Sequence, residues 1–357
     1  MRILALVTDA FGNGGGIARY NCDLLTALSL SPRVSEVVVL PRYTSYEAAT
    51  PSKVQQLKPS PHRIVWSLRG AALAAGSKFD AVFCGHIYSL PLAAATARLT
   101  GARLWLQVHG VEAWNERGSL LPRSLSQVRL VTAVSRYTRS RLLSWSGLHP
   151  AQVRVLPNTL DAGYIPRERR KDLAERYGIA GKRTILTVAR ISAEDRYKGH
   201  DRIIAVLPRV AAQIPDVVYL IAGSGDDRPW VEELARKSPA GDRVIFAGHV
   251  ANEDLPDLFA LADVFAMPST GEGFGIVFLE AAACGLPVIG GNADGSMDAL
   301  ADGKIGRAVD PNSPDELAQA LIDALEGRQE TNPRNADRFE FRNFANHADE
   351  LLSLLAC

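Results

Sequence analysis

Two glutamates eight positions apart, Glu272 and Glu280, form the most informative chemical pattern in the chain. They bracket the run Gly-Phe-Gly-Ile-Val-Phe-Leu, which follows an apolar, strand-like stretch and continues into a run of small residues. This pattern predicts a strand, a glycine-rich turn that carries Glu272, and a helix that carries Glu280. Because the unpaired N–H groups at a helix start attract anions, the segment is suited to a ligand with a central phosphate and hydroxyl groups at both ends. A nucleotide sugar is such a ligand.

The elements that must hold these residues follow a regular plan, in which short apolar runs alternate with helical patterns. In the first half these runs are 3–7, 37–40, 81–83, 104–108, 130–133 and 153–156. In the second half they are 184–188, 217–221, 244–246, 264–266 and 287–289. Such alternation is typical of βαβ units and parallel sheets. We therefore expect an α/β protein with one parallel sheet in each half and a boundary near 157–170, where prolines and glycines interrupt the pattern.

Glycine-rich or polar turns follow the predicted strands, and ligands of open parallel sheets bind beyond the carboxyl ends of the strands. These turns lie at 12–16, 85–86 and 109–110 in the first half, and at 190, 223–225 and 248–249 in the second. A single glycine-rich turn is weak evidence, since many only pack a helix on a strand. Their repetition in both halves predicts a cleft with two facing walls.

Composition is that of a globular protein: 357 residues, 47% of them hydrophobic and 22% charged. This length favours two domains. No apolar run approaches the roughly 20 residues that a membrane span needs. The N-terminal run reads as a first strand, because its apolar part is too short for a signal peptide. The four cysteines show no metal or redox spacing, so we expect a reduced, cytosolic protein.

Charge is divided unevenly, although the formal net charge is only +1. Residues 1–160 carry 18 Lys/Arg against 7 Asp/Glu, whereas residues 161–357 carry 22 against 32. A solvated but uneven surface is one interpretation. The other is an acidic partner for the N-terminal half. The basic residues are dispersed and no nucleic-acid-binding motif is present, so we expect no nucleic acid.

The chain resembles the retaining glycosyltransferases of family 4, which have two Rossmann-like domains facing across a central cleft (the GT-B architecture). The resemblance covers nearly the whole length. It rests on Glu272 and Glu280, on Arg190 with Lys198-Gly199, on the run Gly14 to Tyr20, and on His109. The segment 8–21 is most similar to bacterial polysaccharide-assembly transferases, among them mannosyltransferases.

The resemblance implies an acceptor-binding domain over residues 1–162 and a nucleotide-sugar-binding domain over 163–337. A final helix, about 338–357, would pack back on the first domain. The implied activity is hexose transfer from a nucleoside-diphosphate sugar to a glycan or lipid-linked oligosaccharide in polysaccharide biosynthesis. GDP-mannose is the favoured donor and a UDP-sugar the second.

The resemblance also assigns residues to the donor. The leaving diphosphate gains negative charge in the transition state, so fixed positive groups are needed there. Arg190 and Lys198 are expected to bind it, Glu280 the ribose hydroxyls, and Glu272 the sugar hydroxyls. The other expected donor-binding positions are Gly15, Gly16, Gly223, Val250, Phe274 and Gly275. The expected catalytic group is His109, Glu272, Arg190 and Lys198.

On the acceptor side the expected residues are Gly14, His86, Tyr88 and Glu112. An acceptor joined to lipid diphosphate would explain the basic N-terminal half, which would then contact anionic membrane at the inner face of the cell membrane. The arginines of that surface would be Arg117, Arg123, Arg129, Arg136, Arg139 and Arg141, with Trp114, Leu120, Leu121 and Trp145 among them. An ordinary solvated surface is the alternative.

No D-x-D motif is present, so nothing resembles a carboxylate–metal clamp. We expect no metal and no cofactor, because Arg190, Lys198 and a helix start would carry the diphosphate charge. Two alternatives on the same scaffold stay open: a sugar-nucleotide epimerase or hydrolase, and a catalytically silent nucleotide-sugar binding protein. A dehydrogenase is disfavoured, because the first turn lacks the G-x-G-x-x-G spacing.

Overall fold

The computed structural model of the protein describes residues 1–116 and 120–356. The chain divides into two compact units. The first combines Met1–Thr159 with Phe339–Cys357, and the second is Leu160–Arg338. Each unit is an α/β domain built on one wholly parallel sheet, with seven strands in the first unit and six in the second. The predicted fold class, two Rossmann-like domains, is confirmed.

The first sheet has the strand order β3-β2-β1-β4-β5-β6-β7. Its strands are β1 (Arg2–Val7), β2 (Glu36–Pro41), β3 (Val54–Gln56), β4 (Ala81–Cys84), β5 (Arg103–Val108), β6 (Val128–Ala133) and β7 (Val153–Val155). The helices of this unit are α1 (Gly16–Leu30), α2 (Arg63–Gly76), α3 (Leu90–Thr100), α4 (Leu120–Leu125), α5 (Arg136–Ser146) and α13 (Phe341–Ala356).

The second sheet has the order β10-β9-β8-β11-β12-β13. Its strands are β8 (Arg183–Val188), β9 (Val217–Ala222), β10 (Val244–Gly248), β11 (Val264–Met267), β12 (Val288–Gly291) and β13 (Arg307–Val309). The helices are α6 (Lys171–Arg176), α7 (His200–Gln213), α8 (Arg228–Lys237), α9 (Leu255–Phe259), α10 (Ile276–Ala283), α11 (Ser296–Ala299) and α12 (Pro314–Leu325).

Central strands of both sheets are buried along nearly their whole length. In β1, for example, the residues from Ile3 to Val7 are all inaccessible to solvent, and Leu4 pairs in register with Val38 on one side and Val82 on the other. Helices cover both faces of such a sheet, which is why its strands are continuous apolar runs instead of alternating ones. Because of that pattern, these strands could be predicted from the sequence.

Both sheets reverse their strand order at one place, between β1 and β4 in the first and between β8 and β11 in the second. At such a reversal the loops after the two neighbouring strands diverge to opposite faces of the sheet and leave a crevice at the carboxyl ends. The loops that carry the predicted site residues follow β1, β4 and β5 in the first unit, and β8, β9, β10 and β11 in the second. The topology therefore collects them at the carboxyl edge of each sheet.

The last helix, α13, returns to the first unit and packs on α1. Tyr20 of α1 meets Phe344 of α13 edge to face, with ring centroids 5.7 Å apart. The buried side of α13 continues through Ala348, Leu351, Leu352 and Leu355. Among the helices that the structure describes, none is both long and apolar enough to cross a membrane.

Candidate functional site

Arg190 lies two residues after β8 and is held in place by a buried carboxylate. Its Nε donates to Asp195 Oδ2 at 2.6 Å, and its Nη2 to Oδ1 at 3.3 Å. Burial alone would raise the pKa of Asp195, but hydrogen bonds from Arg190 and Ser192 outweigh it and hold this pKa below its usual value. The Arg190 side chain is still 72% exposed. A fixed cation is thus presented to solvent at the carboxyl edge of the sheet.

Lys198 ends a short 3-10 helix, Ala193–Lys198, and its ammonium group pairs with the carboxylate of Glu272. Both side chains are largely buried. The next residue, Gly199, has φ +87°, and a Cβ there would lie 2.7 Å from the carbonyl oxygen of Pro268. Because residue 199 is glycine, the turn that carries Lys198 can approach the loop after β11 closely enough for the ion pair to form.

Asp294 fixes the loop that carries Glu272, and the sequence analysis missed it. This buried carboxylate accepts the backbone N–H of Glu272 at 2.7 Å, the hydroxyl of Ser269 at 2.8 Å and the N–H of Ser296 at 2.9 Å. The carbonyl of Glu272 in turn accepts the N–H of Gly295 at 2.9 Å. The loops after β11 and β12 are thus joined at the position of Glu272. An aspartate before a glycine in a turn gives no local sign of this long-range contact.

Glu280 lies on α10, one to two turns after the glycine-rich loop. Its carboxylate accepts a hydrogen bond from the hydroxyl of Tyr164, a residue near the start of the second unit. Burial, with Glu280 beside it, raises the pKa of Tyr164 well above its usual value, so the phenol remains a donor. The ring of Tyr164 packs edge to face on Phe259, with centroids 6.0 Å apart. Tyr164 is a second contact that the sequence did not indicate.

The remaining predicted donor residues lie in the same group of loops. Gly275 caps α10 with φ +85°, and Phe274 before it is buried. Gly223 donates its N–H to the carbonyl of Gly248 at 2.7 Å, which brings the loop after β9 beside the end of β10. Val250 follows that end by two residues and is partly exposed. The structure therefore gathers the predicted donor residues of the second unit at one edge of its sheet.

In the first unit His109 follows β5 and reaches the loop after β4. Its Nε2 lies 3.0 Å from the carbonyl oxygen of Gly85. The backbone N–H groups of His109 and Gly110 both donate to Glu112 Oε1, at 2.6 and 3.1 Å. Burial lowers the pKa of His109 to about 4, against the opposing influence of Glu112. The imidazole is therefore neutral at physiological pH.

Two further aromatic rings, those of His86 and Tyr88, extend from His109 along this edge. His86 lies 6.3 Å from His109, and Tyr88 lies 4.8 Å from His86, measured between ring centroids. Burial lowers the pKa of His86, although Glu112 and Asp9 act in the opposite direction. Tyr88 is half exposed. The predicted acceptor residues His86, Tyr88 and Glu112 therefore form one cluster with His109.

Residues 14–16 of the glycine-rich loop after β1 are exposed and open. Gly15 has φ +99° and caps the long helix α1. A Cβ built at Gly14, Gly15 or Gly16 would meet no atom within 4 Å. Of these three, only Gly15 requires glycine for its left-handed backbone, whereas Gly12 at the start of the loop has φ +90° and a Cβ there would lie 2.0 Å from the carbonyl oxygen of Tyr46.

The predicted basic surface of the first unit needs correction. Arg117 lies outside the described residues, as does the side chain of Leu120. Trp114 and Leu121 are buried in the core, so they do not present apolar surface to a membrane. Trp145 donates to the carbonyl of Ala113 at 2.9 Å and packs on the same core. These apolar residues stabilise the fold around α5.

Within residues 1–116 and 120–356, no three His, Cys, Asp or Glu side chains form a group that could hold a metal ion.

Two of the predicted donor-binding residues, Arg190 and Lys198, are cationic. Each has an acidic partner, but of different burial: the Arg190 side chain is mostly exposed, whereas Lys198 is mostly enclosed with Glu272.

Comparison with known proteins agrees with this geometry. Residues 14–164 match the model of the family described as Glycosyltransferase Family 4, and residues 169–338 match that of Glycosyl transferases group 1. A GDP-mannose-dependent α-(1-6)-phosphatidylinositol monomannoside mannosyltransferase of Mycobacterium tuberculosis is 32% identical over 350 residues, which cover 91% of this chain and 89% of the relative. The enzyme of the same name from Mycolicibacterium smegmatis is 34% identical over 69% of this chain and 67% of its own length.

Among solved structures, HepE from Anabaena in complex with UDP aligns with 99% of this chain and 100% of its own, at a TM-score of 0.75 and 23% identity. At that identity the likeness establishes the fold. The two family models and the relative that is 32% identical over 91% of this chain show the family: the chain belongs to glycosyltransferase family 4.

Proposed function

We propose that this glycosyltransferase moves mannose from GDP-mannose to a hydroxyl group of a lipid-linked glycan, with retention at the anomeric carbon. Support for the donor comes from the mycobacterial relatives, whose names specify GDP-mannose. Support for the reaction comes from one observation above all, the pairing of Lys198 with Glu272 beside the exposed cation Arg190.

Charge development explains why these residues are suited to the reaction. As the bond between the anomeric carbon and the phosphate oxygen breaks, negative charge grows on the departing diphosphate. Arg190 is already oriented by Asp195, so it loses little conformational freedom when it binds an anion. Lys198 is held near the sugar-binding loop by Glu272. With two fixed cations at the diphosphate, the proposed reaction needs no metal ion.

The carboxylates have separate roles in this proposal. Glu280 binds the ribose hydroxyls, with Tyr164 holding its orientation. Glu272 binds hydroxyls of the mannose while its backbone is anchored by Asp294. In the front-face reaction, the acceptor oxygen bonds to the anomeric carbon on the side that the phosphate leaves. The acceptor proton passes to the departing phosphate oxygen, so no protein nucleophile is required.

His109 is proposed to contact the sugar as a neutral imidazole. Its low pKa removes it as an acid at neutral pH. The ring nitrogen that faces the Gly85 carbonyl at 3.0 Å is satisfied as a donor. Its other nitrogen is then an acceptor for a hydroxyl group.

The test is a calorimetric titration of the protein with GDP, UDP and ADP. Wild type is compared with Glu280→Ala and Lys198→Ala. The matched controls are Glu175→Ala and Lys182→Ala, which alter exposed residues of the same unit. Tighter binding of GDP than of the other two, weakened in both site variants and retained in both controls, supports the proposal. Unchanged binding by the site variants would overturn the donor-site assignment.

A UDP-sugar is the second candidate donor, because HepE, which shares the fold, has been solved with UDP and with UDP-glucose. Tighter binding of UDP than of GDP would favour a UDP-sugar as the donor.

If GDP binds more tightly, mannose transfer is measured directly with GDP-mannose and acceptors of the phosphatidylinositol mannoside class. Release of free mannose without any acceptor would instead indicate a hydrolase, and binding without turnover a silent scaffold.

A lipid-linked acceptor also has a consequence for location. Its glycan is attached to a membrane, while the donor is water-soluble. The first unit, with its excess of basic residues, is therefore proposed to make peripheral contact with anionic lipid at the inner face of the cell membrane.

A further inference from the structure

Tyr197 lies along the chain between the two cations of the donor site, Arg190 and Lys198. It belongs to the 3-10 helix Ala193–Lys198, which also carries Asp195, the carboxylate that orients Arg190. Tyr197 directly precedes Lys198 and is partly buried. The roles proposed for Arg190 and Lys198 leave this tyrosine unassigned.

The ring of Tyr197 fills the space beside Gly271, the residue that precedes Glu272. A Cβ built on Gly271 would lie 2.6 Å from Cγ of the tyrosine, which is closer than real Cβ contacts allow. The backbones of the two segments are joined as well, because the N–H of Thr270 donates to the carbonyl oxygen of Tyr197 at 3.0 Å. Tyr197 therefore holds the 3-10 helix against the loop that carries Glu272.

The same ring faces the ammonium group of Lys198. The Nζ atom of Lys198 lies 5.1 Å from the centroid of the Tyr197 ring. At this distance the negative face of an aromatic ring attracts a cation. Since Lys198 also pairs with Glu272, its ammonium group is held by two neighbours, a carboxylate and a ring.

The hydroxyl group of Tyr197 lies near two carboxylates. Burial raises the pKa of Tyr197 well above its usual value, and the charges of Glu272 and Asp195 raise it further. The phenol therefore stays protonated and can donate a hydrogen bond. Asp195 orients Arg190, and Glu272 pairs with Lys198. One side chain thus lies between the carboxylate supports of both cations.

We propose that Tyr197 is a positioning residue, which fixes Arg190 and Lys198 relative to each other so that both cations bind the same diphosphate. A diphosphate has its charged oxygens at nearly fixed separations, so two cations bind it best when their own separation is set in advance. The inference rests on the proposed function, because it assumes that the two cations bind the diphosphate of the donor. It deepens that function by assigning the geometry of the pair to a residue outside it.

The test compares calorimetric titrations with a nucleoside diphosphate and with the matching monophosphate. The pair is GDP and GMP or, if UDP binds more tightly, UDP and UMP. Tyr197→Leu removes the ring, whereas Tyr197→Phe keeps the ring and removes the hydroxyl. The matched controls are Tyr177→Leu and Tyr177→Phe, since Tyr177 lies in the same unit at the end of α6, with its ring beside Arg176.

We expect the affinity for the diphosphate to fall about 10-fold in Tyr197→Leu and about threefold in Tyr197→Phe, and that for the monophosphate to change less than about twofold. The loss falls on the diphosphate because the longer anion needs both cations at once. In an Arg190→Ala background the further loss caused by Tyr197→Leu should shrink to about twofold, because the remaining cation has no partner to be aligned with. Both controls should bind as wild type does.

Wild-type affinity for the diphosphate in either Tyr197 variant would overturn the inference. So would equal losses for the diphosphate and the monophosphate, or an undiminished loss in the Arg190→Ala background, because a general distortion of the unit produces both. Urea denaturation identifies the variants that are folded during the titrations. Tyr197→Phe keeps the packing on Gly271 and supplies the comparison if Tyr197→Leu does not fold.

Failure of the proposed function is distinguishable from failure of this inference. If wild type binds none of GDP, UDP and ADP, the assignment of the donor site is wrong and the inference fails with it. If wild type binds one of them and the Tyr197 variants bind it equally well, the donor site stands and only the role of Tyr197 fails.

Discussion

The two units use glycine for different purposes in loops that follow the carboxyl ends of their strands. In the first unit, a Cβ on Gly14 or Gly16 would meet nothing within 4 Å. In the second, a Cβ on Gly223 would lie 1.8 Å from the carbonyl oxygen of Ala189, and one on Gly295 would lie 2.1 Å from that of Gly273. These loops of the second unit are packed against neighbouring backbone. In the first unit residues 14–16 are open, although a Cβ on Gly12 at the start of the same loop would lie 2.0 Å from the carbonyl oxygen of Tyr46.

This difference separates two reasons for the same residue type. In the second unit the glycines are required by the fold, because backbone segments approach too closely for any side chain. In the first unit the fold does not require Gly14 or Gly16, and we propose that their smallness serves the approach of a bound molecule. Stability and activity measurements can therefore distinguish the two loops.

The largest effect is expected for Gly223→Ala. The new Cβ clashes with Ala189 and the residue has φ +148°, so we expect a loss of about 3–5 kcal/mol in the free energy of unfolding. Urea denaturation measures it. Gly14→Ala is the matched control and should change stability by less than about 0.5 kcal/mol. Equal losses of stability in the two variants would show that the two loops do not differ in their structural need for glycine.

Next in size is Lys198→Ala, which removes a cation proposed to bind the leaving diphosphate and leaves Glu272 buried without its partner. We expect kcat for mannose transfer to fall by about 10²–10³-fold, as when one stabilising group of a transition state is lost. Lys182→Ala serves as the control in the same assay. A wild-type kcat in Lys198→Ala would show that Lys198 does not stabilise the negative charge that develops on the leaving diphosphate.

A smaller effect is expected for Asp294→Asn. One of its three hydrogen-bond donors would face an amide NH₂ group, so stability should fall by roughly 1–3 kcal/mol. Because the hydrogen-bond network that holds the loop of Glu272 is then incomplete, we expect kcat to fall about tenfold, a magnitude inferred from small displacements of catalytic groups. A stability loss with unchanged kcat at a temperature where the variant is folded would make Asp294 purely structural.

The smallest effect concerns the buried histidine of the first unit. The pKa of His109 is about 4 when folded and about 6.5 in an unfolded chain. Between these values the unfolded state binds more protons, so the contribution of His109 to stability is complete above pH 6.5 and is lost as pH falls towards 4. His109→Asn should reduce the rise in stability over this range by about 1–3 kcal/mol, and the exposed His62→Asn should not. Parallel pH profiles for wild type and His109→Asn would contradict this.

Most of the fold could be predicted from the sequence, because the central strands are buried on both faces and form continuous apolar runs. Every predicted run overlaps an observed strand. The two strands that the sequence analysis missed, β3 and β13, are three residues long and lie at sheet edges. An edge strand of this length pairs through its backbone on one side only, so its side chains need no apolar pattern.

The candidate site could be predicted where residues follow strands directly, as Arg190 and His109 do. Contacts that join distant loops could not. Asp294 reaches Glu272 only because β11 and β12 are neighbours in the sheet, and Tyr164 reaches Glu280 from the start of the unit. The burial of Trp114 and Leu121 could not be predicted either, since a sequence of aromatic and aliphatic residues among arginines fits both an exposed surface and a core.

The return of α13 to the first unit has a consequence for how the protein is made. The helix completes the packing of α1, yet a ribosome produces it only after the entire second unit. During synthesis the first unit must wait with that side of α1 uncovered, while the second can close as a continuous stretch of chain. The order in which the two units mature is therefore the reverse of the order in which they begin.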